Sequence, residues 1–212
     1  MAEKLLERIL ERYGKGDFES EIISARKEYF SSMSDLRDDD PLFERLTQCF
    51  LYWFVIDRPM DGDVHSPLQR FVKDSELTKE QLRMCESMAA GIRSLFEVLK
   101  LDEEGVTLKD LFSLEIVHVR ERRHLAGLKK GDILETRLFP HSDMLVFAPG
   151  AFILHPRAAG QTIRSMIERI RTTGKPTTEE FILKLEALTF RYVDRYRERV
   201  PVEKVFAELD VN

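Results

Sequence analysis

Apolar residues recur at helical spacing through the first part of the chain and again through the last. Between them lies a stretch of short apolar runs broken by turn residues. Leu5, Leu6, Ile9, Leu10 and Tyr13 form one stripe, which predicts a helix over 2–13 ended by Gly14 and Gly16. A second helix carries Phe18, Ile22, Ala25, Tyr29 and Met33 on one face. Asp40 precedes Pro41, a pairing that suits an N-cap followed by the first helical position. The run LFERLTQCFLYWFVIDR is the most apolar in the protein. Its length favours a helix, and its second half is apolar all round, as expected of a central buried element ended by Pro59. Ser66 with Gln69, Thr78 with Gln81, and Thr177 with Glu180 have capping-box spacing and mark three helix starts.

From residue 94 to about 155 the pattern predicts strands at 95–101, 106–109, 114–121, 132–139 and 144–154, the last interrupted. The separating turns are Glu104–Gly105, Lys130–Gly131–Asp132, Pro140–His141–Ser142 and Pro149–Gly150. Ile163, Met166, Ile167 and Ile170 then line a helix. Phe181, Leu185, Leu188, Tyr192 and Tyr196 line a long one, and Val202, Val205, Phe206 and Leu209 a short last one after Pro201. The expected class is α+β: N-terminal helices over 1–93, a central small antiparallel β-barrel or curled sheet of about five strands over 94–156, and C-terminal helices over 157–212 packed on it. With no long linker, these parts are expected to form one unit.

Charge changes the picture modestly. Residues 1–119 carry 16 basic and 25 acidic side chains, whereas 120–212 carry 17 and 13, so an anionic partner suits the second half better. Cys49 and Cys85 lie inside apolar helical patterns without a CxxC partner, which predicts reduced buried thiols and a cytoplasmic setting. The charged N-terminus and the short apolar runs predict neither a secretion signal nor a membrane span.

Several separated motifs, FLYWFVIDR (50–58), SPLQRF (66–71), SLFEVL (94–99), LKDLFS (108–113) and KKGDILETRL (129–138), resemble an uncharacterised family of bacterial proteins. Some of its members carry a SecA-type C-terminal zinc motif that this chain lacks. The resemblance implies a bacterial origin and a shared fold, and no particular chemistry.

Candidate chemistry is sparse. His118, His124, His141 and His155 fall close together in sequence, and Asp132 or Asp143 would add an oxygen ligand, yet no HxH, HExxH or HxxxH pair fixes two ligands on one element. DGDVH (61–65) opens like a calcium loop but has Ser66 and Val72 where glycine and glutamate are required. TTGKPTT (172–178) has Arg169 and Pro176 where a phosphate loop needs glycine and a hydroxyl. Asp57 and Arg58 end the apolar helix and are candidates for lining a pocket, or for anchoring the helix end. Arg120, Arg122, Arg123, Lys129 and Lys130, with His124, make a basic connection between two strands, a place where small barrels present ligand loops. Arg157, Arg164, Arg169, Arg171 and Lys175 would extend it, with Phe139 and Phe147 for base stacking.

The leading expectation is a non-catalytic binding or interaction module for a protein or nucleic acid, without a cofactor or a membrane. The alternative is a metal-dependent hydrolase or small-ligand enzyme using the histidines. A homodimer through an amphipathic helix over 178–199 is a third expectation.

Overall fold

The computed structural model describes residues 2–33, 35–120 and 127–209. Among them the helices are α1 (Ala2–Tyr13), α2 (Glu19–Tyr29), α3 (Phe43–Tyr52), α4 (Pro67–Asp74), α5 (Lys79–Ala89), α6 (Gly160–Thr173), α7 (Thr178–Phe190) and α8 (Val202–Phe206). All three expected capping boxes form, with hydroxyl and N3 side chain each bonding the other's backbone N–H. Asp40 does not cap a helix with its side chain. Its carboxylate accepts from the Arg37 N–H at 2.7 Å and from the Arg195 guanidinium at 2.7 and 2.8 Å, and α3 starts behind Leu42. The charge-assisted bonds to Arg195 outcompete a cap. α3 and α7 both end in a π turn, at Trp53–Asp57 and Arg191–Arg195.

The strands are β1 (Ile92–Leu101), β2 (Gly105–Asp110), β3 (Ile116–Arg120), β4 (Ile133–His141) and β5 (Met144–Leu154). They close a barrel in the order β1-β2-β3-β5-β4. This is a five-stranded Greek-key arrangement of the OB type. An all-antiparallel barrel was the expectation, but the β3–β5 contact is parallel, through Val119 opposite Leu145. The reason is parity: an odd number of strands cannot alternate direction all the way round a closed ring. The expected break at Pro149–Gly150 appears as a bulge. Thr136 faces Phe152 while Leu138 faces Phe147, so β5 carries extra residues between them and Gly150 adopts a positive φ of 73°.

Three apolar clusters organise the chain. Phe96, Val98, Val106, Leu108, Val119, Leu134 and Leu138 fill the barrel. Helices α1, α3, α4 and α5 pack with Phe139, Ala148, Ala151 and Ile153 on the outer side of β4 and β5. Helices α6, α7 and α8 pack with Leu95, Leu111 and Ile133. β4 is therefore covered on both faces, and every residue from Ile133 to Phe139 is buried. No helix among the described residues is long and apolar enough to cross a membrane.

Gly105 opens β2 directly opposite Arg120, and a Cβ there would lie 2.1 Å from the Val119 carbonyl oxygen. The two backbones can approach only because the side chain is absent. Gly105→Ala is expected to lower stability by about 2–3 kcal/mol through forced separation of β2 from β3, read as a lower urea midpoint with an unchanged slope. Gly127→Ala, where nothing lies within 4 Å but φ is also positive, is the control and is expected to cost less.

Candidate functional site

With helices covering β1, β4 and β5, the barrel's remaining outer surface is that of β2 and β3. Cross-strand pairs place Thr107 beside His118 and Lys109 beside Ile116 on this surface, and Lys100 and Glu97 of β1 extend it. Ile116 is 65 % exposed, and His118 and Arg120 are exposed too. Thr107 Oγ1 lies 3.4 Å from His118 Nδ1. On its other side β3 has one ladder contact, Val119 with Leu145, so the rest of that edge has no strand partner among the described residues. Half-buried Val117, Leu145, Phe147, Phe152 and Leu154 border the barrel interior.

The largest cavity, about 830 Å³, opens between α3 and β5. Phe152, Leu154, Leu128 and Pro149 supply apolar wall, and Arg45 and Gln48 supply polar groups. The Arg45 guanidinium sits 5.9 Å from the Phe152 ring centre.

Of the expected basic connection, Arg120, Lys129 and Lys130 are exposed, while Arg122, Arg123 and His124 lie outside the described residues. Asp132 holds the turn at 129–132: its carboxylate accepts from the Lys129 N–H at 2.7 Å and from Arg157. The β1–β2 turn, Asp102, Glu103 and Glu104, emerges at the same end of the barrel as Arg120. Lys100 pairs with Asp102 at 2.9 Å and Arg164 with Glu97 at 2.8 Å. Cations and anions at this end therefore largely offset one another.

Asp57 and Arg58 do not line the large cavity. Arg58 is buried and bonds Glu21, Glu28 and Asp61, fastening the end of α3 to α2. Asp57 pairs with Arg137. The histidines are dispersed by role: His118 is exposed on β3, His141 is exposed at the end of β4, and His155 is buried against Thr189 Oγ1 at 2.8 Å. α7, expected to offer a dimer face, buries Leu185 through Phe190 within its own chain.

The least anticipated feature lies on the outer face of β4. Glu135 and Arg137 alternate with Leu134 and Leu138, a pattern that reads as the wet side of a strand, yet both are buried beneath helices. Arg93 donates from Nε to Glu135 Oε1 at 2.8 Å and from Nη2 to Glu186 Oε1 at 3.0 Å. Tyr29 Oη donates to the same Glu186 oxygen at 2.8 Å. Burial, and then the charge of Glu135, push the Glu186 carboxyl well above its usual range, against the pull of Arg93. Burial likewise pushes the Cys49 thiol up. The one sequence signal is Glu186 itself, a lone acid between Leu185 and Ala187 in an apolar helix.

A family model described as a family of unknown function (DUF7986) matches residues 4–183. The chain belongs to this family. The DUF7986 match spans the barrel and reaches into both flanking helical layers, well beyond the motif-bearing stretch at 50–155. No curated protein and no solved structure matches the chain.

Two tests address the buried charges of this DUF7986 chain. Arg93→Met leaves Glu135 and Glu186 buried without their shared cation, and is expected to cost about 3–5 kcal/mol by chemical denaturation. His155 has its imidazole pushed down by burial to about 3, against an ordinary 6.5. It is neutral when folded and charges on unfolding, so its share of stability is intact above 6.5 and lost as pH falls towards 3. His155→Gln is expected to flatten that acid limb of the stability–pH curve, by up to about 1.4 kcal/mol per pH unit.

Proposed function

We propose that this protein is a non-catalytic binding module that engages a partner protein through the open β2–β3 side of its barrel, with an extended partner segment pairing along β3. The observation carrying this reading is the strand surface itself. Helices cover the outer faces of β1, β4 and β5, while β3 keeps a largely unpartnered edge with Ile116 exposed beside it. Such an edge recruits strands through backbone hydrogen bonds, and side chains on alternate positions set the choice of partner. Leu114, 40 % exposed just before β3, lengthens the apolar contact.

OB-type barrels also receive oligonucleotides on this side. The charge arrangement favours a protein here. Arg120, Lys109, Lys129 and Lys130 share the region with Asp102, Glu103, Glu104 and Glu115, and a polyanion gains affinity only from cations left uncompensated. Nor does the exposed surface of β2 and β3 carry an aromatic ring for stacking bases.

Photo-crosslinking from position 116, in the organism's own extract, tests the reading. A discrete crosslinked protein that disappears when Ile116→Lys is installed in a chain crosslinking from position 118 is the expected result. Ile116→Lys is expected to change stability by less than about 0.5 kcal/mol, as for other exposed positions. Crosslinks to nucleic acid instead, weakened by Arg120→Glu and by salt, would replace the protein partner with an oligonucleotide. No crosslinked species from either position would remove the binding-module reading.

A further inference from the structure

The interior charge cluster contains more polar capacity than its own contacts use. Cys49 Sγ, Glu135 and Glu186 each present a ligand atom, and the three lie within 4.8 Å of one another. They come from α3, β4 and α7, all packed elements, so their positions are fixed by the fold rather than by a loop. All three residues are buried. Both carboxylates are already oriented from outside, since Arg93 holds Oε1 of each and Tyr29 holds Oε1 of Glu186. Their Oε2 atoms are buried and have no hydrogen-bond partner, and Tyr52 Oη beside them is likewise without one. A void of about 10 Å³, large enough for one small occupant, is bounded by Cys49, Tyr52, Arg93, Glu135 and Arg137. Buried polar atoms at such density require a partner.

Charge identifies the class of partner. Arg137 is matched by Asp57, which leaves Arg93 alone against Glu135 and Glu186. With Cys49 as thiolate the cluster is two negative charges in excess, the complement of a divalent cation.

We propose that Cys49, Glu135 and Glu186 bind one divalent cation of the zinc class inside the protein, tying α3, the barrel and α7 together. One thiolate and two carboxylates suit a borderline ion that accepts both sulfur and oxygen, with Tyr52 Oη or a water completing four-coordination. Arg93 and Tyr29 are the orienting partners outside the ligands. On binding, the S–H bond of Cys49 breaks and the carboxyl pair gives up the proton that it otherwise shares. Two protons pass to solvent and no electrons move. This site involves none of the expected histidines and is separate from the β2–β3 surface.

The test uses the full chain without a histidine tag, unfolded with chelator, desalted, and refolded with Zn²⁺ or Co²⁺. The expected result is one metal per chain by elemental analysis, and, for Co²⁺, a sulfur-to-metal charge-transfer band. Cys49→Ala is expected to abolish that band and weaken Zn²⁺ binding by more than about 100-fold, beyond what loss of an outer partner costs. Cys85→Ala is expected to keep both. Glu186→Gln is expected to lose affinity while keeping the band, and if that variant does not fold, Cys49→Ala against Cys85→Ala decides. A chain that refolds only with Zn²⁺ supports the site. A wild-type chain that refolds fully in chelator and takes up no Co²⁺, or a band that survives Cys49→Ala, overturns it and leaves a proton and a water as the occupants.

Discussion

One guanidinium holds the layers of this protein in register. Arg93 leaves β1, passes beside the Tyr29 ring of α2 at 5.6 Å, and grips Glu135 of β4 and Glu186 of α7. Apolar packing alone would let helices slide on a barrel wall, because hydrophobic attraction has no direction. A buried, hydrogen-bonded charge does not tolerate sliding: each displacement leaves an ionised group in a medium that solvates it poorly. The helical layers on either side of β4 are therefore set by the same few atoms.

This constraint also divides the barrel's surface into two kinds. On β1 and β4 the outward positions are occupied by Arg93, Glu135, Arg137 and Phe139, all committed to contacts with helices. On β2 and β3 the corresponding positions, Thr107, Lys109, Ile116 and His118, meet no comparable partner. One half of the barrel wall belongs to the architecture, and the other half is left for recognition.

Much of the architecture could be read from local pattern. Three capping boxes, the stripe at Leu5–Tyr13 and the turn residues of the β-region acted through neighbours in sequence, and each appears as expected. The parallel β3–β5 contact was not legible, because ring closure is a property of all five strands together. The π turns went unseen for a related reason. An extra residue in a turn leaves the apolar spacing intact while rotating the residues after it, as Asp57 reaching Arg137 shows. Cys49 was correctly placed as a buried free thiol, but its neighbours were not, since Glu135 and Glu186 lie far from it in sequence and meet it only after folding. Alternation in LETRL distinguishes two faces of a strand without saying whether the polar face meets water or a helix.

The span of these contacts has a consequence for how the chain is made. Arg93 must wait 42 residues for Glu135 and 93 for Glu186, and Tyr29 must wait 157 for that same carboxylate. During synthesis the first helices and the barrel strands emerge with this cation incompletely neutralised and with the outer wall of β1 and β4 uncovered. Closure comes only after α7 has left the ribosome, so the nascent protein passes through a long interval in which its stickiest surface is bare.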